Sequence, residues 1–130
     1  MKNSNDQFSI GKALAISWFV RNNYQISIPL NSDLPYDLLV DKGDGSIKKV
    51  KIGTTSYKNP HGNYDLNLKS TCCSFYGITK VTKFNSLLID YIFVDCDHKE
   101  FYLIPSSSIL TSTKITLSCF LDYKISWEDS

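Results

Sequence analysis

The feature that most restricts the fold is a glycine-rich turn at Lys42–Ser46, which lies between two strand-like segments. Glycine adopts positive φ without steric penalty, so Gly43 and Gly45 suit a tight turn between antiparallel strands. The flanking segments Tyr36–Asp41 and Ile47–Thr54 supply these strands. Because side chains alternate along a strand, the return strand carries Ile47, Lys49, Lys51 and Gly53 on one face, and Lys48, Val50 and Ile52 on the other.

A helix is predicted before this hairpin, over about residues 9–22. Its apolar side chains recur at a spacing of three and four residues, which places them on one helix face. They are Ile10, Ala13, Leu14, Ile16, Trp18, Phe19 and Val20. Ser9 is a suitable N-cap, and Asn22-Asn23 is a suitable end.

Further strands are predicted on both sides of the hairpin. They are Gln25–Ile28, Tyr64–Lys69, Leu87–Val94, Phe101–Ile104 and a late strand around Ile115 and Leu117. The stretch Ser70–Asn85 is expected to be less regular, with Cys72-Cys73 in a loop. Asp95–Lys99 is expected to form a turn, and Pro105–Ser108 a short helical turn or loop. One helix followed by a meander and more strands predicts a mixed α/β (α+β) sheet in a single domain, 1–130, with its core at about 9–118.

The composition is that of a soluble globular protein, with 42% hydrophobic and 21% charged residues. The formal net charge is only +1, which gives no support to nucleic-acid binding by overall charge and leaves local clustering as its basis. The start of the chain has no secretory signal, and the apolar runs are too short to span a membrane. A cytoplasmic location without membrane contact is therefore expected.

The four cysteines, Cys72, Cys73, Cys96 and Cys119, form no Cys-x-x-Cys pair, and the chain has only two histidines. A zinc site would need an unusual assembly, so no metal site is predicted from these residues. Buried or partly buried thiols in a reducing compartment are expected instead.

Several segments follow one another in a recognisable order. They are Ile10-Gly11-x-Ala13-x-Ala15-Ile16, Tyr24–Ile28, Pro29-Leu30, Pro35-Tyr36-Asp37-Leu38, the Gly43/Gly45 turn, Lys49-Val50-x-Ile52-x-Thr54-Thr55, Gly62-Asn63-Tyr64, Ile89-Asp90-Tyr91 and Tyr102-Leu103-Ile104-Pro105. Over about residues 9–110 this order resembles the PD-(D/E)XK nucleases, in particular the group I intron-encoded homing endonucleases and the Holliday-junction-resolvase-like proteins. The resemblance implies a restriction-endonuclease-like core.

The resemblance also implies where a catalytic site would lie. Such nucleases hold Mg²⁺ with an aspartate at the start of the second strand and an acidic or amide residue on the return strand, and a glutamate on the first helix often assists. A lysine two residues beyond the return-strand ligand orients or activates the attacking water. Asp37 stands at the aspartate position, whereas Lys12, Lys51 and Gly53 stand at the glutamate, return-strand ligand and lysine positions.

The chain thus matches the pattern at one position of four, and its Mg²⁺ site is predicted to be lost, leaving no cofactor and no catalytic residue. Asp37 is expected to pair with Lys51 or Lys12, because opposite charges about 4 Å apart attract by roughly 4 kcal/mol at an effective dielectric constant near 20. The alternative is that the acidic ligands have moved, with Asp65 as the candidate. The glutamates, Glu100 and Glu128, lie outside the pattern.

Three functions remain open at this point. The first is a nuclease-derived protein that binds DNA or RNA without cutting it, with Lys12, Lys49, Lys51 and Lys69 as candidate phosphate contacts. The second is a protein-interaction module, for example a phage or mobile-element inhibitor of a host nuclease or defence complex. The third is an active endonuclease with relocated ligands. The resemblance also implies a homo-oligomer, either a dimer or a tetramer.

Overall fold

The computed structural model describes residues 4–31, 33–73, 79–82 and 84–127. Within these ranges one helix, α1, spans Ser4–Arg21. The strands are β1 Gln25–Ser27, β2 Leu38–Asp41, β3 Lys48–Thr55, β4 Asp65–Asn67, β5 Ser70–Cys73, β6 Thr79–Thr82, β7 Tyr91–Cys96, β8 Glu100–Pro105, β9 Lys114–Thr116 and β10 Lys124–Ile125. Short 3₁₀ helices occupy Ser106–Ser108 and Leu117–Tyr123.

The main sheet has six strands in the order β1-β2-β3-β7-β8-β10. Its central pair, β3 and β7, is parallel, and the other pairs in this sheet are antiparallel. A parallel pair needs a crossover connection, and here the crossover contains β4, β5 and β6. Two small antiparallel pairs, β4–β9 and β5–β6, complete the strands of the described residues.

α1 packs on one face of the sheet. Ala15, Trp18 and Phe19 of the helix form an apolar core with Val50, Ile52, Phe93 and Phe101 of the sheet, among others. Gly11 allows α1 to approach the sheet closely, since a Cβ on this residue would lie only 2.5 Å from Cγ2 of Thr54. The C-terminal segment holds the end of α1 in place, with the Trp18 indole N–H donating to the Ser126 carbonyl at 3.3 Å.

The opposite face of the sheet is covered by β4, β9 and the second 3₁₀ helix. Its core joins Leu66, Leu68, Ile115 and Leu117 to Ile92, Val94 and Ile104 of the sheet. β7 is therefore buried on both faces, which explains its near-continuous apolar sequence.

The structure confirms the hairpin in detail. Gly43 and Gly45 have φ values of 95° and 82°. The two faces of β3 carry the residues predicted for them. Val50 and Ile52 enter the core beneath α1, whereas Gly53 lies against Leu66 on the other face. The mixed sheet and the short helical turn after Pro105 are also present.

Other predictions need correction. α1 begins at Ser4, so Ser9 lies inside the helix and is not its N-cap. The strand expected from Leu87 begins only at Tyr91, because Leu87 is 89% exposed and belongs to the preceding turn. Asp95 and Cys96 are the last residues of this strand and not part of the turn that follows.

The stretch expected to be irregular contains the β5–β6 pair, so Cys72-Cys73 lies in a strand and not in a loop. Cys96 is buried as expected, but Cys119 is exposed. Leu117 belongs to a 3₁₀ helix rather than to the late strand. No helix within the described ranges combines the length and the apolar character that a membrane crossing requires.

The close approach at Gly11 generates a prediction about stability. In an open helix position, Gly→Ala stabilises by about 1 kcal/mol. Gly11→Ala should instead destabilise the protein by about 1–3 kcal/mol, since the methyl group would overlap Thr54 and come within 3.2 Å of the Asp95 carboxylate. Urea unfolding measures this. Ser17→Ala, at an exposed site of the same helix, is the control and should be neutral or slightly stabilising; a stabilised Gly11→Ala would contradict the close packing.

Candidate nucleic-acid interface

The face of β3 that points away from α1 carries Lys49, Lys51 and Gly53. Lys49 is exposed, with its Nζ lying 5.7 Å from the ring centroid of Tyr36, and Lys51 is half-buried. β3 contains no carboxylate or amide side chain on either face. A return-strand ligand for Mg²⁺ is therefore missing whichever residue of β3 is assigned to that position.

Asp37 lies just before β2, at the point where this strand stops covering the edge of β3. Its backbone N–H donates to the Val50 carbonyl at 2.8 Å, and its Oδ2 accepts the backbone N–H of Ile52 at 2.7 Å. The carboxylate thus takes the place of the strand neighbour that Ile52 would otherwise lack. This gives Asp37 a structural role that does not require a metal.

Asp90 binds the backbone of β3 on its other edge. Its N–H donates to the Lys49 carbonyl at 2.9 Å, and its Oδ2 accepts the Lys49 N–H at 2.8 Å. The backbone of β3 is therefore held by one carboxylate from each neighbouring segment. Sequence analysis missed this role of Asp90, because the segment Leu87–Val94 was predicted to be a continuous strand.

Gly53, at the position predicted for the catalytic lysine, has no room for a side chain. A Cβ on Gly53 would lie 2.9 Å and 3.1 Å from the two methyl carbons of Leu66. Leu66 belongs to β4, which packs over this part of the face. A side chain at this position would require the Leu66 side chain to shift.

The four predicted lysines do not form one cluster. Lys49 and Lys51 share a face of β3, whereas Lys12 follows Gly11 on α1, which packs on the opposite face. Lys69 is exposed between β4 and β5, outside the β3 face.

Asp65, the candidate for a relocated acid, is buried and already hydrogen-bonded. Its Oδ1 accepts the Thr116 hydroxyl at 2.7 Å and the Asn59 amide at 3.2 Å, and its Oδ2 lies 3.6 Å from the Lys114 ammonium. Its backbone carbonyl accepts from Thr55. Thr55 is three residues beyond Ile52, or about 10 Å along the strand, so Asp65 and Asp37 are bound to well-separated parts of β3.

These donors lower the pKa of Asp65. The Thr116 hydroxyl has the largest effect; burial opposes it, and Asn59 and Lys114 add to it. The ionised carboxylate is therefore part of the link between β4 and β9.

The donor set of the β3 face does not fit Mg²⁺. This ion prefers several oxygen ligands, but β3 presents lysines and no carboxylate or amide side chain, and one carboxylate oxygen of Asp37 is bound to the backbone. Among the described residues, no three His, Cys, Asp or Glu side chains lie close enough to hold a metal ion. The arrangement instead suits an anion such as a phosphate.

A second polar pair, Asp95 and His98, was not predicted. Asp95 is fully buried, and its two oxygens accept the backbone N–H of His98 at 2.8 Å and contact the His98 ring Nδ1. Asp97 and His98 both have positive φ, at 58° and 59°, in the tight turn between β7 and β8. The spacing Asp-x-x-His in a predicted turn was the available signal. The pair stabilises a turn conformation that L-residues adopt at a cost.

The Cys96 thiol has no reactive character. Burial raises its pKa to about 12, so the thiolate is not populated at neutral pH.

The chain matches a known protein family. The model for PD-(D/E)XK endonucleases matches residues 2–120 of the chain. The chain belongs to this family. Among solved structures, a bacterial homing endonuclease, I-Ssp6803I, is similar with a TM-score of 0.79 and 18% identity, over 98% of this chain and 92% of that chain. No curated protein matches the sequence.

The match confirms the predicted family and the restriction-endonuclease-like fold. At 18% identity the likeness to I-Ssp6803I is evidence for the fold alone.

The role of Asp37 is testable by comparing two substitutions. Asp37→Ala removes the acceptor of the Ile52 N–H and should destabilise the protein by about 1–3 kcal/mol in urea unfolding. Asp37→Asn keeps an acceptor oxygen and loses only the charge, so it should cost much less. If Asn proves as costly as Ala, the charge is what matters, and pairing with Lys51 or Lys12 becomes the better explanation.

The lowered pKa of Asp65 predicts acid sensitivity. A carboxylate with a lower pKa in the folded state stabilises the fold above its ordinary pKa of 3.8, and this contribution is lost as the pH falls through the folded-state value. Asp65→Asn should therefore unfold less steeply with acid than the wild type does. Unfolding followed from pH 6 down to pH 2 would measure this; Asp122→Asn, at an exposed site, is the control. An unchanged acid profile in Asp65→Asn would contradict the assignment.

Proposed function

We propose that this PD-(D/E)XK protein binds nucleic acid without cutting it, through the β3 face that carries Lys49 and Lys51. The observation that carries the proposal is the absence of any carboxylate or amide on β3, next to a lysine pair on the face that a nuclease would use for its metal. Ammonium groups repel a divalent cation and attract phosphate oxygens. The same scaffold position is thereby suited to hold the backbone of the former substrate.

Local geometry supports the contacts. Asp37 and Asp90 hold the backbone on both edges of β3, so the two lysines project from a rigid strand. Tyr36, beneath Lys49, adds an aromatic surface beside the cations. The proposal includes a single domain, a cytoplasmic location and a homo-oligomer, with Lys12 and Lys69 contacting phosphates outside the β3 face.

A protein partner is the second candidate function, and one surface favours it. Leu87 and Leu110 are 89% and 96% exposed, and their loops adjoin because the Phe84 N–H donates to the Ser112 carbonyl at 3.3 Å. Exposed apolar side chains brought together in this way are typical of interaction sites.

Salt dependence tests the leading proposal. The affinity for labelled duplex, junction and single-stranded DNA, measured by fluorescence anisotropy, should fall steeply with salt. The double variant Lys49→Gln/Lys51→Gln should reduce the slope of log K against log[salt] on duplex DNA by about 2, because two phosphate contacts are lost. Lys99→Gln, in the exposed turn after β7, removes one charge elsewhere and should leave the slope unchanged.

Two results would overturn the proposal. Folded protein that shifts none of these DNAs at low salt would favour the protein partner, whose contact Leu87→Ser and Leu110→Ser should weaken. Cleavage with Mg²⁺ or Mn²⁺ that disappears in Asp37→Asn or Asp65→Asn would show an active nuclease with relocated ligands.

A further inference from the structure

A second recess lies on the α1 face of the sheet, on the opposite side from Lys49 and Lys51. It has a volume of about 180 Å³ and forms where the end of α1 meets the β2–β3 hairpin. Tyr24, Tyr91 and Leu103 line it and are only partly covered by the helix. Aromatic and aliphatic side chains thus remain accessible on a face that is otherwise packed core.

The rim of this recess is cationic. Lys42 and Lys48 line it together with one carboxylate, Asp44. Asp44 already uses one oxygen to accept the Ser46 N–H at 2.9 Å. Lys42 lies over the Tyr24 ring, with 5.0 Å between Nζ and the ring centroid, so an ammonium group is already at the mouth. Two cations against one acid give this rim an excess of positive charge.

The nearby end of α1 does little to offset that charge. Helix C-termini attract cations through unpaired carbonyls. Here the Trp18, Phe19 and Val20 carbonyls each accept a backbone N–H from the turn that follows, at 3.0–3.2 Å. The electrostatics of the recess are therefore set by Lys42, Lys48 and Asp44.

We propose that this recess binds a nucleoside 5′-monophosphate, either free or as the end nucleotide of a strand. The base would lie against Tyr24, Tyr91 and Leu103, and the phosphate would be held by Lys42 and Lys48. The volume lies below the range of about 300–1,000 Å³ that holds drug-sized ligands, so the recess would take the base and leave the rest of the nucleotide at its rim. The Ser46 hydroxyl and the second oxygen of Asp44 offer hydrogen-bonding groups to the edge of a base.

This site does not depend on the proposed DNA-binding face. Substitutions at two adjacent residues, Lys48 and Lys49, test the two sites independently. Lys48 and Lys49 point to opposite faces of β3: Lys48 lines the recess, whereas Lys49 lies over Tyr36 on the other face. A second matched pair is Lys42 with Lys58, since each lies 5.0 Å from the centroid of a tyrosine ring, but Lys58 contacts Tyr64 outside the recess.

The experiment is an NMR titration of the whole chain with AMP, followed through the Tyr24 and Tyr91 ring resonances. AMP should give saturable shifts of these rings, with an affinity on the order of 1 mM or tighter. Adenosine and inorganic phosphate should each bind more weakly, because each satisfies only half of the site. Lys48→Gln and Lys42→Gln should weaken AMP binding by roughly threefold to tenfold, whereas Lys49→Gln and Lys58→Gln should leave it unchanged.

Three results would overturn the proposal. In the first, AMP causes no saturable shift of Tyr24 or Tyr91. In the second, Lys49→Gln weakens AMP binding as much as Lys48→Gln does, and in the third, benzoate binds as tightly as AMP.

A trinucleotide with a 5′-phosphate distinguishes the two sources of the ligand. An affinity similar to that of AMP indicates a strand end, and much weaker binding indicates the free nucleotide. Failure of DNA binding in the Lys49→Gln/Lys51→Gln variant with AMP binding intact would separate the two sites.

Discussion

The pairing of β3 with its neighbours is the constraint on which the rest of the structure depends. β3 pairs with β2 on one edge and with β7 on the other, and α1 packs on one of its faces. Its alternation sends Val50 and Ile52 into the core and leaves Lys49 and Lys51 on the far side. A shift of one residue would bury the lysines and expose the apolar residues, so the fold and the position of the charges are fixed together.

The same strand binds two carboxylates through its backbone. In a metal site, carboxylates need a cation between them to offset their repulsion. Here Asp37 is satisfied by the Ile52 N–H, and Asp90 by the Lys49 N–H. Both acids bind the backbone, and the strand that they support presents lysines.

Features that depend on local signals are predictable from the sequence. The Gly43/Gly45 turn determines the hairpin, and the hairpin determines which lysines share a face. Features that depend on partners far apart in the chain are not. Leu87 continues an apolar run but is exposed, because Asp90, bonded to Lys49, sets the point at which β7 joins the sheet.

The candidate site also depends on contacts between distant parts of the chain. The positions of Asp37, Lys12 and Lys51 are implied by the family resemblance, but the contact from Asp37 to Ile52 depends on the length by which β3 extends beyond β2. The contact of Gly53 with Leu66 depends on the β4 layer, which no local pattern of the hairpin could reveal. The recess beside Tyr24 and Tyr91 likewise brings together four separate strands and the end of α1.

The parallel pairing of β3 with β7 has a consequence for how the chain folds. The β2–β3 and β7–β8 hairpins join residues that are close in sequence, whereas Val50 and Tyr91 meet across 41 positions. Closing so long a loop costs entropy before any contact rewards it. The two hairpins are therefore expected to form early and to dock late, which makes the docking of β3 on β7 the slow step of folding. Until then the lysine face exists only as one side of an isolated hairpin, so its rigidity is acquired last.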